Sequence, residues 1–241
     1  MTVWFWVLSL AHHTNLYSRA PQRKSRLMTT IRSNKPSRLE VAVHEAGHAI
    51  VQLATGPSPW IDYIEVGEPG EGRLGIVQTE ALWQPSLMED PHAPAELICK
   101  WRLLAARDIV MYLAGPMAEL RMRHRRQKAR EAAMLMASRC LAVDEVDAAS
   151  DFGRVRHRLR WAHPGTEFKA FCQAWAATDM IVNTWWREIV DFGRMLECSG
   201  RINDVEIMNA WAGFAETRMD ATISRAELST AWSVRLLSGA R

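Results

Sequence analysis

The segment His44-Glu45-Ala46-Gly47-His48 places two histidines four residues apart, with a glutamate beside the first. On an α-helix, residues at this spacing lie on one face, about one turn apart. Their imidazoles can therefore bind one metal ion, with zinc–nitrogen distances near ~2.1 Å. A carboxylate at Glu45 can reach a water on that ion and accept its proton as the water attacks a carbonyl. The spacing predicts a catalytic zinc site, with His44 and His48 as metal ligands and Glu45 as the general base.

A catalytic zinc site needs a third protein ligand and keeps its fourth position for water. The extended motif that supplies a third histidine from the same helix is absent, because Val51 and Ala54 stand where its glycine and histidine would be. The third ligand must therefore come from a distant Asp, Glu or His. Glu119 and Asp151 are the two candidates, and spacing alone does not choose between them.

Local signals predict the helix that carries the histidines. Ser37 and Glu40 have the spacing of a capping box, in which each residue bonds to the other's backbone N–H. Gly56-Pro57 then ends the apolar pattern. We therefore predict a helix over about 38–55.

The other predicted elements are two short strands and several helices. Runs 61–66 and 75–79 have β-type composition and are separated by a glycine-rich loop, which predicts a hairpin or small sheet. Helices are predicted over about 95–122 (disturbed at Gly115-Pro116), 124–141, 148–161, 167–197 and from Asn203 or Asp204 onward. The predicted fold class is mainly α with a small β-sheet (α+β). The predicted organisation is a flexible basic extension (1–36), a metallopeptidase domain (37–215) and a tail (216–241).

Composition narrows the function classes. The chain has 241 residues, 48% of them apolar and 24% charged, an ordinary balance for a globular protein. A net charge of +3 is too small to argue for nucleic acid. The apolar run from Val3 to Ala11 is about half the length of a membrane-spanning helix, so no span is predicted. Four scattered cysteines without a Cys-x-x-Cys pair favour a reducing compartment, and we expect a cytoplasmic protein.

Several segments, taken in order, resemble the FtsH-type zinc proteases. They are His44-Glu45-Ala46-Gly47-His48-Ala49, the run Ile61 to Thr79, Leu113-Ala114-Gly115-Pro116-Met117-Ala118-Glu119, Ala148-Ala149-Ser150-Asp151-Phe152, and Gly200-Arg201-Ile202 with Glu206. The resemblance covers roughly residues 37–212. It implies that Asp151 is the third zinc ligand and that Glu119 has a supporting role. Asp144 and Asp147 lie nearby and are alternatives to Asp151.

The chain departs from the family pattern at three positions outside the ligands. Ala114 replaces a glycine, Pro116 an arginine and Ser150 an asparagine. The family normally carries an ATPase module and membrane helices. No glycine here is followed by lysine, which excludes a P-loop. We therefore expect a stand-alone peptidase domain with a separate ATPase as a candidate partner.

The expected activity is zinc-dependent endopeptidase cleavage of unfolded or flexible polypeptides. A substrate peptide would add as a strand to the edge of the small sheet near the zinc. Two alternatives stay open from the sequence. One is a zinc-bearing regulatory or interaction protein with little or no turnover. The other is a different zinc-peptidase lineage that uses Glu119 as its third ligand.

Overall fold

A computed structural model describes residues 36–55, 61–67, 75–79, 92–124, 131, 135 and 150–217. Within these ranges the chain forms mainly helices, together with one small sheet, as the predicted α+β class requires. The elements are, in chain order, α1 (Arg38–Thr55), β1 (Ile61–Val66), β2 (Gly75–Thr79), α2 (Ala95–Arg123), α3 (Asp151–Ala162), α4 (Glu167–Thr184), α5 (Trp186–Ser199), β3 (Arg201–Asn203) and α6 (Asp204–Thr217).

The central element is α1, which begins where its capping box predicts. The backbone N–H of Ser37 donates to Glu40 Oε2 at 2.6 Å, and the backbone N–H of Glu40 donates to Ser37 Oγ at 3.2 Å. Two N–H groups that the first turn would leave without partners are thereby satisfied. From this start α1 runs between α2 and α5 and also contacts the sheet. Most of its side chains are buried, so the metal motif lies inside the core.

Close packing of α1 against its neighbours depends on glycine. A Cβ at Gly47 would lie 2.8 Å from the Ala114 carbonyl oxygen and 2.9 Å from Ala118 Cβ, both on α2. These distances are shorter than van der Waals contact, so α2 approaches α1 only because Gly47 has no side chain. Leucine, isoleucine and phenylalanine side chains from α1, α2, α4 and α5 fill the surrounding core, among them Ile50, Leu53, Ile109, Leu113, Phe171 and Phe192.

The sheet has the strand order β2-β1-β3, with both pairings antiparallel. Ile64 at its centre pairs with Val77 on one side and Ile202 on the other. The third strand was not predicted, because three residues are too few to show an alternating pattern. Its last residue, Asn203, also caps α6: Asn203 Oδ1 accepts from the Glu206 backbone N–H at 3.1 Å.

Two helix predictions need correction. The segment predicted as one helix over 167–197 is divided at Trp185, where the backbone leaves helical geometry and the indole stacks on Trp211 with ring centroids 4.8 Å apart. The helix predicted from about 148 begins instead at Asp151, because Ser150 Oγ accepts the Gly153 N–H at 3.1 Å and so acts as the N-cap. Helix α2 covers the predicted residues and continues through the buried Pro116.

Some predictions lie outside the described residues. They include nearly all of the helix predicted over 124–141, the residues Asp144 and Asp147, most of the N-terminal extension, and the tail beyond 217. Among the helices that the structure describes, none is both long and apolar enough to cross a membrane.

Candidate metal centre

Helices α1 and α3 bring together three side chains that could bind a metal ion. Asp151 Oδ2 lies 3.0 Å from His44 Nε2 and 3.3 Å from His48 Nε2, and the two nitrogens are 3.1 Å apart. A tetrahedral ion with bonds of ~2.1 Å has ligand atoms about 3.4 Å from one another. The three atoms therefore lie close to the positions of one face of such a tetrahedron. This group could hold a metal ion.

The opposite ring nitrogens fix the orientation of both imidazoles. His48 Nδ1 donates to the carbonyl oxygen of Met111 on α2 at 2.7 Å. His44 Nδ1 lies 3.0 Å from Glu119 Oε2, also on α2. A carbonyl can only accept, so His48 carries its hydrogen on Nδ1 and its Nε2 can bind a metal. Both rings thus present Nε2 toward Asp151.

Glu119 belongs to a longer network. Its Oε1 accepts from Arg123 at 2.7 Å, and the Arg123 Nε donates to Glu40 Oε1 at 3.0 Å. Glu40 is the same residue that caps α1. One chain of charge-assisted hydrogen bonds therefore joins His44 to the start of its own helix, and it restrains the carboxylate that orients the ring.

Gly115 leaves space at the metal-binding nitrogens. A Cβ at this position would lie 2.3 Å from His48 Nε2 and 2.7 Å from His44 Nε2. Any side chain here would crowd both Nε2 atoms. The residues present therefore fit a metal, because they combine convergent ligand atoms with space beside those atoms that a side chain at position 115 would fill.

Charge around the site favours a cation. Burial of His44 opposes its protonation, but the hydrogen bonds to Asp151 and Glu119 outweigh burial and raise the pKa of His44 to about 10. Burial likewise opposes ionisation of Asp151, yet the charges and hydrogen bonds of His48 and His44 hold the pKa of that carboxyl well below its usual range. The pKa of Glu119 is also lowered against the effect of burial, chiefly by its hydrogen bond to His44. Without metal, a protonated His44 supplies the positive charge that these carboxylates stabilise.

Glu45, the predicted general base, lies next to His44 on α1 and is 7% exposed. Its negative charge contributes to the raised pKa of His44, so the two groups interact electrostatically. Glu45 therefore adds a third negative charge close to His44, beside those of Asp151 and Glu119.

The structure distinguishes between the two candidate third ligands. Asp151 lies where the resemblance places it, beside both Nε2 atoms, whereas Glu119 contacts the opposite nitrogen of His44. The geometry therefore favours Asp151, and its binding of metal stays a prediction. Sequence reasoning did not identify Met111, Gly115 or Arg123. Only Gly115 gave a signal, because an interior helical glycine is costly and indicates close approach.

Fold and site together define a mainly helical protein with a candidate two-histidine, one-aspartate metal centre. Comparison with known proteins adds no family assignment: no protein-family model matches the chain, and no curated protein matches it significantly. The resemblance to FtsH-type proteases therefore rests on the quoted segments alone.

Proposed function

We propose that this protein is a zinc-dependent endopeptidase that cleaves unfolded or flexible polypeptides. The observation that carries the proposal is the convergence of His44, His48 and Asp151 with Glu45 buried beside the first ligand. Two imidazoles and one carboxylate form a donor set typical of catalytic zinc. Zinc in this position would lower the pKa of a water and polarise the scissile carbonyl.

The protein's own residues supply the remaining requirements. Glu45 accepts the proton of the attacking water and passes it to the leaving amine. Glu119 and the Met111 carbonyl hold the two rings, so the ligand atoms need little rearrangement on binding. Gly115 keeps the space beside the ligands free of side-chain atoms.

The sheet offers a means of holding an extended substrate. It packs against α1, the helix that carries both histidines, and its outer strand β2 contacts that helix directly. An outer strand has one row of backbone N–H and C=O groups without a strand partner, and a polypeptide can pair with it. This mode requires an unfolded segment. We therefore propose that folded substrates need a separate ATPase, and that ATP does not stimulate the isolated chain.

The decisive experiment measures metal and turnover in the same preparations. Wild type should contain about one zinc per chain and cleave casein and a quenched fluorescent peptide. Glu45→Gln should keep the zinc, because this residue is not a ligand, and lose roughly 100- to 10,000-fold in rate. Glu96→Gln, an exposed glutamate at the start of α2, is the matched control and should behave as wild type.

Two results would reject the peptidase. The absence of zinc from metal-replete wild type would remove its basis. Stoichiometric zinc with equal, negligible turnover in wild type and Glu45→Gln would instead support the zinc-bearing regulatory or interaction protein. Loss of zinc from Glu119→Gln, but not from Asp151→Ala, would favour the other peptidase lineage.

A further inference from the structure

A tyrosine and an arginine lie directly beside the metal centre. Arg154 follows Asp151 by one turn of α3, so their side chains emerge on neighbouring parts of one face. Its NH1 donates to Tyr112 Oη on α2 at 3.3 Å, with the guanidinium carbon 5.2 Å from the ring centroid. The Tyr112 ring meets the His48 ring edge-on, with centroids 6.4 Å apart. The pair therefore adjoins two of the three candidate ligands.

A second arginine shows by contrast what Arg154 lacks. Arg158 is buried on the same helix, and its Nε donates to Asp108 Oδ2 at 2.7 Å. Arg154 is exposed, and among the described residues it makes no hydrogen bond or ion pair with a carboxylate, although its charge favours ionisation of the nearby Asp108. One positive charge in this cluster is thus paired within the protein, while the other faces solvent beside the metal centre.

The hydroxyl hydrogen of Tyr112 is not used by any contact among the described residues. Guanidinium groups can only donate, so Tyr112 Oη must accept from Arg154, and from the NH2 of Arg158 at 3.5 Å. Its own hydrogen is left for another partner, and no acceptor for it occurs among the described residues. An O–H donor and a guanidinium side by side suit a carboxylate, which accepts several charge-assisted hydrogen bonds.

We propose that Tyr112 and Arg154 form a carboxylate-binding subsite that selects substrates with a negative charge near the scissile bond. This inference rests on the proposed peptidase function, because that function supplies the polypeptide ligand. The carboxylate comes from an acidic side chain or from a polypeptide C-terminus. Both sources present the same planar anion to the two donors.

Binding to the zinc-loaded full chain tests the proposal. The Glu45→Gln background permits binding without cleavage. Three fluorescently labelled peptides share one unfolded sequence: a neutral one with an amidated C-terminus, one with a single glutamate, and one with a free C-terminus. Fluorescence anisotropy should show about tenfold tighter binding of one carboxylate peptide over the neutral one. The glutamate and free-terminus arms identify which source is bound.

Substitutions assign the preference to the two residues. Arg154→Met should abolish it, Arg154→Lys should retain part of it, and Tyr112→Phe should reduce it. Arg160→Met removes an exposed arginine from another face of α3 and should leave it unchanged. Thermal unfolding verifies that each variant folds.

Several outcomes would overturn the subsite. They are equal affinity for all three peptides, no measurable peptide binding, and an unchanged preference in Arg154→Met. A uniform fall in wild-type kcat for every peptide on Arg154→Met, without a change in preference, would instead assign Arg154 to the transition state. If wild type cleaves nothing while Glu45→Gln still shows the Arg154-dependent preference, the peptidase proposal fails and the subsite stands.

Discussion

Replacing Gly115 by alanine tests whether the two histidines form a metal site at all. The added Cβ would lie 2.3 Å from His48 Nε2, against an ordinary contact of at least 3.4 Å, so the atoms must separate by about 1.1 Å. Metal–ligand distances tolerate deviations of only about 0.2 Å. His48 cannot move freely, because its ring is buried and its Nδ1 is bonded to the Met111 carbonyl.

The expected loss in metal affinity is larger than that for a typical supporting residue. Substitutions that merely reorient a ligand cost about 10- to 100-fold in metal binding. Gly115→Ala displaces one donor atom and crowds a second, since its Cβ would also lie 2.7 Å from His44 Nε2. We therefore expect zinc binding to weaken by at least about 100-fold, equivalent to about 2.7 kcal/mol. The metal-free protein should also lose stability, because the crowding of two buried rings costs about 1–3 kcal/mol and alanine regains only up to about 1 kcal/mol of helix propensity over glycine.

The assay is a competitive zinc titration against a chromophoric chelator, together with thermal unfolding with and without zinc. Gly213→Ala is the matched control, because it makes the same change inside α6, where a Cβ would meet no atom within 4 Å. The control should bind zinc as wild type does and be as stable or slightly more stable. Wild-type zinc affinity in a folded Gly115→Ala protein would refute the assigned ligand geometry.

Three further predictions concern pH, the supporting network and packing. In the metal-free protein, the fold raises the pKa of His44 from 6.5 to about 10, so protonation of His44 should stabilise the fold fully below pH 6.5. This stabilisation should be lost as the pH rises toward 10. Urea unfolding of wild type and His44→Gln across this pH range measures the contribution. Arg123→Met should weaken zinc binding about tenfold, because it releases the Glu119 carboxylate that orients His44. Arg187→Met removes an arginine whose side chain is 89% exposed and should leave zinc binding unchanged. The zinc titration described above measures both variants. In Gly193→Ala the new Cβ would lie 2.7 Å from Val43 Cγ2, so this substitution should destabilise the fold by about 1–3 kcal/mol. Denaturant titration measures the change. If the variant is as stable as wild type, α5 can move away from α1.

Local signals predicted the helix of the metal motif well, because its start is determined by residues three positions apart. Ser37 and Glu40 make both hydrogen bonds of the capping box, and the helix occupies the predicted residues. The division at Trp185 had no such signal. At that position Trp185 contacts Trp211, a residue distant in the chain, and no local pattern encodes such a contact.

The third ligand shows the same limit more sharply. Asp151 is 107 residues from His44, so only the tertiary fold brings them together. Residue types alone left Glu119 equally eligible, and resemblance to a family was needed to choose. The structure explains why both looked suitable, since Glu119 also reaches His44, though at its other nitrogen.

The five-residue metal motif combines chemistry with packing. His44, Glu45 and His48 were interpreted as chemical groups, but Gly47 allows α2 to lie against α1. That approach brings the Met111 carbonyl to His48, which orients one ring. A bulkier residue between the histidines would push α2 away, and with it the groups that hold the imidazoles in place. The glycine of the motif therefore supports the candidate metal centre indirectly, through the distance between two helices.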